Sequence, residues 1–405
     1  MEDIKQETTG PGADAVQEPV LAATVADAKP FSPSSLRELL DHLDSEGITD
    51  FRRYREVRKF MNFKAREKHL PISGCFELTP LCNLDCKMCY VHLSAAQLHG
   101  AKLLPVETWK DIMTQAVDAG MMYARLTGGE CTTYPGFKEL YLHLANLGVE
   151  VTVLSNAVLI DDVMVDFFIA HPPAGVQVTL YGASEEAYER VTGHRMFARV
   201  LGNIRRMRDA GVPVTIAVTP NAFMTDGLEV VRLLHEEGLP FNINPGIIEP
   251  REETGRKIED ASLDAYVDML RLQCELEGRL PEPECEPDEL PDVADGCVEG
   301  EAPRGVRCGA GRSSFSVGWK GGMLPCNTFP CEPANVVELG FAESWRRTNA
   351  QALDYPLPVE CEGCSYKNAC KHCVSEHAND AEPGHASPAV CQWGKRMVAE
   401  GIFKR

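Results

Sequence analysis

Cys82-Asn-Leu-Asp-Cys86-Lys-Met-Cys89 is the stretch that decides how the rest of this 405-residue chain is read. Three thiols spaced by three and then two residues can converge on one face of a four-iron, four-sulfur cluster, because thiolate is the soft ligand such clusters take. No fourth cysteine lies close by in sequence, so one iron keeps an open position where a small molecule can bind and be oriented. Cysteine fills 16 of 405 positions, and at that frequency the spacing arises by chance only about 0.03 times per chain. The competing reading is a structural zinc site. Zinc takes four protein ligands, whereas the run from Thr79 to Ser94 supplies three cysteines and His92, so that reading needs ligands from elsewhere in the chain.

With Met88 and Tyr90 flanking Cys89, the motif resembles the CxxxCxxC signature of the radical S-adenosylmethionine (radical SAM) family, in which an aromatic residue stands beside the last cysteine. Leu126-Thr-Gly128-Gly129-Glu130 follows one strand and one helix later. Glycines there let the backbone approach a neighbour closely, and Glu130 can accept hydrogen bonds from an ammonium group. The resemblance implies that this segment holds the methionine amino group of SAM. Leu154-Ser155-Asn156-Ala157 is similar to the family's ribose-contacting segment, although Ser155 and Asn156 also read as plain turn residues. Val178-Thr179-Leu-Tyr-Gly182 resembles the segment that contacts the SAM carboxylate. Relatives often carry an arginine just before the glycine equivalent to Gly193; this chain has Thr192, and Arg190 or Arg195 is either its substitute or a solvated charge. Cys131 follows Glu130 and is a candidate hydrogen-atom donor facing the SAM pocket, as some peptide epimerases require. A small buried cysteine is the ordinary alternative.

Composition sets the surroundings. Hydrophobic residues at 44% and charged residues at 25% are usual for a soluble globular protein, and the length suits one large domain plus a smaller one. Acidic residues exceed basic ones by 60 to 40, a formal charge of -20 that argues against nucleic acid or an anionic membrane as partner and is compatible with a basic peptide. The first residues, Met-Glu-Asp-Ile-Lys-Gln, show no basic segment followed by an apolar one, and no run approaches about eighteen apolar residues. The expectation is a reducing cytoplasm, where cysteines serve as metal ligands more readily than as disulfides.

The chain divides into five stretches. Residues 1–34, rich in Ala, Pro, Gly, Thr and Glu, read as a disordered tail, and 35–74 as a helical N-terminal segment. From 75 to 260, short apolar runs alternate with amphipathic ones. Strands are expected at Cys75–Leu78, Tyr123–Thr127, Val149–Leu154, Val176–Tyr181, Val214–Thr219 and Phe241–Asn244, with helices between them. That pattern means an α/β fold, a parallel sheet with helices on its outer face. The resemblance implies more: a partial (β/α)6 radical SAM barrel with its reactive groups at the C-terminal strand ends, where parallel α/β barrels carry theirs. Residues 261–305 read as a helix and an acidic, Pro-rich linker. Residues 306–405 are dense in cysteine and poor in long periodic segments, so metal ligation is expected to hold them together.

Cys308, Gly321, Cys326, the pair Cys361 and Cys364, the pair Cys370 and Cys373, and finally Cys391 are spaced like the SPASM extension of radical SAM enzymes, which carries two auxiliary four-iron clusters. The family usually has CxxxC where this chain has Cys370-Lys-His-Cys373. The family's division of ligands would give Cys308, Cys326 and Cys373 to an inner cluster, and Cys361, Cys364, Cys370 and Cys391 to an outer one. The inner set then lacks a fourth thiol, for which Cys331, Cys297 or none stands as the answer. A pair of zinc knuckles is the alternative, since Cys361, Cys364, Cys370 and Cys373 alone would make a good zinc site. Taken together, the resemblance implies reductive cleavage of SAM at the first of three 4Fe-4S clusters, fed by a reductant such as flavodoxin or ferredoxin, and hydrogen abstraction from a ribosomally made precursor peptide. Formylglycine-generating sulfatase maturation is the runner-up, and a non-catalytic, zinc-stabilised binding protein is the third reading. Enzymes of that type place an aspartate after the cysteine equivalent to Cys326, where this chain has Asn327, a residue that cannot serve as a general base.

Overall fold

Strand and helix alternate with a regularity that fixes the architecture. The structure, a computed structural model, describes residues 36–48, 50–244, 254–255, 263–279, 304–367, 370 and 373–403. The expected tail at 1–34 and nearly all of the linker up to residue 303 lie outside the described residues. Two helices, α1 (Leu36–Ser45) and α2 (Asp50–Lys68), lead into β1 (Ser73–Glu77). There follow α3 (Val106–Asp118), β2 (Tyr123–Thr127), α4 (Phe137–Asn146), β3 (Glu150–Ser155), α5 (Asp162–Ala170) and β4 (Gly175–Thr179). Then come α6 (Glu185–Thr192), α7 (Phe197–Asp209), β5 (Val214–Val218), α8 (Gly227–Glu236), β6 (Phe241–Ile243) and α9 (Leu263–Leu276). Strands β1 to β6 lie side by side in chain order and all parallel, and β6 at one end pairs with no further strand among the described residues. The result is an unclosed partial barrel.

Alternation along each strand sorts the side chains onto two faces. Phe76, Leu126, Val153, Val178 and Ile216 face the helices and are fully buried there with Trp109, Ile112 and Leu140; Phe76 meets Trp109 edge-on at 6.1 Å. The other face looks into the barrel. In register across it, Cys75 stands opposite Arg125, Arg125 opposite Thr152, and Thr152 opposite Gly175. At the N-terminal strand ends this interior is closed by α2. Arg58 ion-pairs with Glu150 at 2.7 Å and stacks 4.4 Å above the Tyr123 ring, Tyr54 donates its hydroxyl to Glu150, and Ala65 and Ile72 pack on Tyr123. Burial, and then the bond to Glu150, pushes the Tyr54 phenol up to about 12.

One helix was not among the expected elements. α6 is short and polar, yet its ends carry ordinary signals: the Ser184 side chain accepts from Ala187 N, two glutamates fill the first turn, and Gly193 closes it at φ 75°.

The C-terminal region corrects an expectation. It adds β7 (Ser314–Val317), β8 (Gly322–Leu324), β9 (Ala334–Asn335), α10 (Val336–Leu339), α11 (Phe341–Asp354), α12 (Val374–His377) and α13 (Pro388–Ala399). β7 pairs in parallel with the free edge of β1, and β8 and β9 extend the sheet antiparallel. Phe315 lies 5.9 Å from Phe76 and 5.0 Å from Phe341, inside the same apolar core as the barrel helices. Hydrophobic packing therefore joins this region to the barrel in addition to whatever its thiols bind. Phe315→Ala should cost about 3–5 kcal/mol in denaturant-induced unfolding; a loss under about 1 kcal/mol would mean that β7 is not held by the core.

Candidate cluster and cofactor site

The loop with Cys82, Cys86 and Cys89 leaves the C-terminal end of β1 and is stitched by backbone hydrogen bonds on two sides. Toward β2, Gly129 N donates to Thr79 O at 2.7 Å and Glu130 N to Leu81 O at 2.9 Å. Toward α6, Asp85 N and Lys87 N donate to the last carbonyls of the helix, those of Thr192 and Val191. The glycine pair is required by this closeness. A Cβ on Gly128 would sit 2.4 Å from Thr79 O, one on Gly129 2.4 Å from Leu81 O, and Gly128 has φ 155°. Here, then, the backbone that approaches Gly128 and Gly129 is the cysteine loop itself.

The carboxylate of Glu130, 1% exposed, gathers the strand ends. One oxygen accepts from Thr132 N at 3.1 Å, Thr132 Oγ1 at 2.6 Å and Ser155 Oγ at 2.9 Å; the other accepts from Asn156 N at 2.7 Å. Burial pushes its acid up from the usual carboxylate range against the pull of these donors. Asn156 carries the connection back to the loop, donating from Nδ2 to Asn83 Oδ1 at 2.7 Å and to Cys82 Sγ at 3.6 Å. Glu130 keeps acceptor capacity on the oxygen that Asn156 N alone occupies, since a carboxylate offers about four lone-pair sites.

Do these residues fit an iron-sulfur cluster? Two observations say that they do. Backbone N–H groups aim at the sulfurs, Leu84 N at Cys82 Sγ (3.4 Å) and His92 N at Cys89 Sγ (3.3 Å), and such bonds favour thiolate. Asn83 Nδ2, next to Cys82, and Tyr188 OH, beside Cys86 and Cys82, are both buried with no hydrogen-bond partner among the described residues. A buried donor left unmade costs about 1–3 kcal/mol, and an acceptor such as a cluster sulfur would relieve it. Burial pushes the Cys82 thiol up to about 12, so metal binding there would have to displace a proton, a cost that the bonds to the cluster must offset. Among the described residues no three His, Cys, Asp or Glu side chains stand close enough for a single metal ion.

Other expected contacts fall in different places. Tyr90 OH accepts from Asn327 Nδ2 at 3.3 Å, which joins the residue after Cys89 to the residue after Cys326. Thr179 is half-buried on the interior face of β4, close to the barrel mouth. Arg190 is exposed and donates to Thr225 Oγ1, while Arg195 is engaged with Glu186 and Glu189; neither is brought to the buried groups around Glu130. Cys131 is a correction as well. A 3-10 turn at Cys131–Thr133 sets it in the apolar core, where it is 0% exposed, donates to Leu154 O at 3.3 Å and lies 4.0 Å from Glu130 Oε1, the ordinary environment of a small buried cysteine.

In the C-terminal region Cys361, Cys364, Cys370 and Cys391 line one small cavity with Tyr366, His377, Gly394 and Lys395. Cys373 points elsewhere, toward Cys326, whose Sγ lies 4.0 Å from Ser375 Oγ. Cys308 is exposed, and Cys331 donates to Gln351 Oε1 at 3.3 Å beside Cys326. Cys297 lies outside the described residues. Asn83 and Tyr188 were not recognised from the sequence: neither the motif's spacing nor the local pattern marks a residue whose importance is an unmade hydrogen bond.

Residues 76–227 match the radical SAM superfamily. The subtilosin biosynthesis protein AlbA of Bacillus subtilis is 23% identical over 354 residues, covering 84% of this chain and 75% of that protein. The PqqA peptide cyclase of Gluconobacter oxydans is 24% identical over 311 residues, 73% of this chain and 83% of that one. Among solved structures, Streptococcus suis SuiB bound to its precursor peptide SuiA superposes with a TM-score of 0.60 at 17% identity, covering 92% of this chain and 85% of SuiB.

If Tyr188 OH donates to the cluster or its ligands, Tyr188→Phe should lower the cluster's midpoint potential, because hydrogen bonds to the sulfurs raise it. A potentiometric titration followed by electron paramagnetic resonance reads this directly. An unchanged potential would assign the hydroxyl to another partner.

Proposed function

We propose, from the match of residues 76–227 to the radical SAM superfamily, that Cys82, Cys86 and Cys89 hold a 4Fe-4S cluster beside bound SAM in an enzyme that modifies a ribosomally made precursor peptide. The observation that carries the ligand assignment is the set of donors around these sulfurs: two backbone amides aimed at them and two buried side-chain donors with no other acceptor. The peptide reading is supported by relatives whose names state peptide work, a bacteriocin biosynthesis protein and a peptide cyclase, and by likeness to a structure that holds a precursor peptide.

The bound cofactors supply reductive cleavage of SAM and a carbon-centred radical that removes one hydrogen atom from the substrate. The chain supplies position. Gly128 and Gly129 fix the cysteine loop against the strand ends, and Glu130 offers its remaining lone pair to the SAM ammonium. Ser155, Asn156, Thr179 and Tyr90 line the same mouth. In this reading residues 75–260 form the catalytic barrel and 306–405 an auxiliary-cluster region. Cys361, Cys364, Cys370 and Cys391 hold an outer cluster, and Cys308, Cys326 and Cys373 belong to an inner one. An electron-transfer protein of the flavodoxin or ferredoxin class supplies the electron, in a reducing cytoplasm. Among the described residues no helix is long and apolar enough to cross a membrane. Sulfatase-type oxidation is not favoured, since Asn327 is no base and its amide is spent on Tyr90.

Replacing Cys82, Cys86 or Cys89 with Ala should abolish 5'-deoxyadenosine formation under chemical reduction, and full activity in any of the three would refute the ligand assignment. Replacing Cys361 or Cys391 should leave SAM cleavage and stop the modified peptide from appearing in the mass spectrum of co-expressed candidates. Zinc without iron or sulfide in anaerobically purified protein would end the radical reading.

A further inference from the structure

We propose that the barrel interior holds a carboxylate-binding subsite built on Arg125, which takes an acidic group of the peptide. This rests on the peptide-modifying reading and adds to it the chemistry of the substrate. Arg125 is the middle residue of β2. Its chain neighbours Ala124 and Leu126 are 1% and 0% exposed against the helices, while Arg125 itself projects from the other face and is exposed. Among the described residues no hydrogen bond, ion pair or aromatic ring engages its guanidinium.

That isolation is local. One layer toward the N-terminal strand ends, Tyr123 and Glu150 stand opposite each other, and there the cation Arg58 is both ion-paired and stacked. The floor of the barrel is thus filled and neutralised, and the next layer up is neither. Opposite Arg125 stands Thr152, and beyond it Gln177 opposite Thr215. All three are half-buried polar side chains without side-chain hydrogen bonds among the described residues. A barrel interior packed for stability would be filled by bulky branched residues. This one keeps donors and acceptors unspent.

Position argues for substrate over SAM. Arg125 precedes Gly128 by three residues, about 10 Å along the strand toward the floor. A peptide side chain anchored at the guanidinium would therefore leave the neighbouring backbone near the mouth. Glu77, the carboxylate on the inner face of β1, is 2% exposed, has partners of its own and makes no ion pair with Arg125. Beside Arg125 is Cys75, whose thiol meets Asn327 next to Cys326. The subsite thus lies between the mouth and the cysteines of the C-terminal region. A planar guanidinium also suits a carboxylate better than an ammonium would, because it can donate two parallel hydrogen bonds.

The chain's formal charge of -20 disfavours acidic peptides in general, so an acidic preference would require a local cation. The full-length protein, reconstituted anaerobically and saturated with SAM, is screened against a random displayed peptide library in two arms, one with free C-termini and one amidated. Enrichment of Asp or Glu at one position in both arms supports a side-chain carboxylate. Enrichment confined to the free-acid arm supports the C-terminus as the carboxylate source. The selected peptides should bind Arg125→Gln at least about tenfold more weakly and Arg125→Lys at an intermediate level. SAM affinity, measured by equilibrium binding, should stay within about twofold. Selected peptides without acidic preference, equal affinity for Arg125→Gln, or weakened SAM binding in that variant would each overturn the subsite while leaving the peptide reading intact. SAM cleavage with no peptide selected at all would overturn both.

Discussion

Everything at the mouth of the barrel depends on how closely the backbone of residues 79–81 lies on Gly128 and Gly129. Two hydrogen bonds, Gly129 N to Thr79 O and Glu130 N to Leu81 O, extend the pairing of β1 and β2 beyond the last residues of the strands. Because these bonds tie the two segments together just past the strand ends, the residues just before Cys82 are held in place, and the three thiols start from a fixed point. Side chains at either glycine would meet a carbonyl oxygen, not a flexible side chain that can move away. The constraint is therefore steric and backbone-based, and independent of whether a cofactor is present.

From that point the network spreads sideways. Glu130 converts the end of β2 into an anchor for β3 by taking donors from Ser155 and Asn156, and Asn156 returns to Asn83 and Cys82. Three loops become one rigid unit around a buried carboxylate. The same unit leaves Asn83 Nδ2 and Tyr188 OH without protein acceptors. Other buried polar atoms also lack a partner among the described residues, but this pair is distinguished by lying beside the cysteine loop, where one sulfur acceptor could serve both.

How much of this could be read from sequence follows from the range of each signal. The six strands and most helices were legible within a residue or two, because alternation and helical periodicity are local and Gly120, Gly148 and Gly238 punctuate them with positive φ. The cysteine motif and the glycine pair were legible as chemistry, since their spacing is short. Three features were not. α6 was missed although Ala187, Tyr188, Val191 and Thr192 are buried at helical spacing and its caps are ordinary; at eight residues it is short enough to pass for part of the connection between β4 and α7. Cys131 looked accessible because it follows Glu130, and only the 3-10 turn shows that it faces the core. The parallel pairing of β7 with β1 joins residues about 240 positions apart, and no local pattern announces it.

That long-range pairing matters most for the site, because it governs how two cysteine-bearing regions meet. Ser73 to Phe76 register with Ser314 to Val317, so the strand that launches the first cysteine loop is also the strand on which the C-terminal region is built. β8 then turns back and ends at Leu324, two residues before Cys326. Asn327 consequently reaches both Cys75 on β1 and Tyr90 beyond Cys89. The spacing between the two cysteine sites is therefore set by a sheet, whose strands are held about 4.8 Å apart by backbone hydrogen bonds. Had thiol ligation alone supported the C-terminal region, loss of a cluster would free it to move. With Phe315 wedged between Phe76 and Phe341, the relation between the two cysteine-bearing regions is a property of the fold.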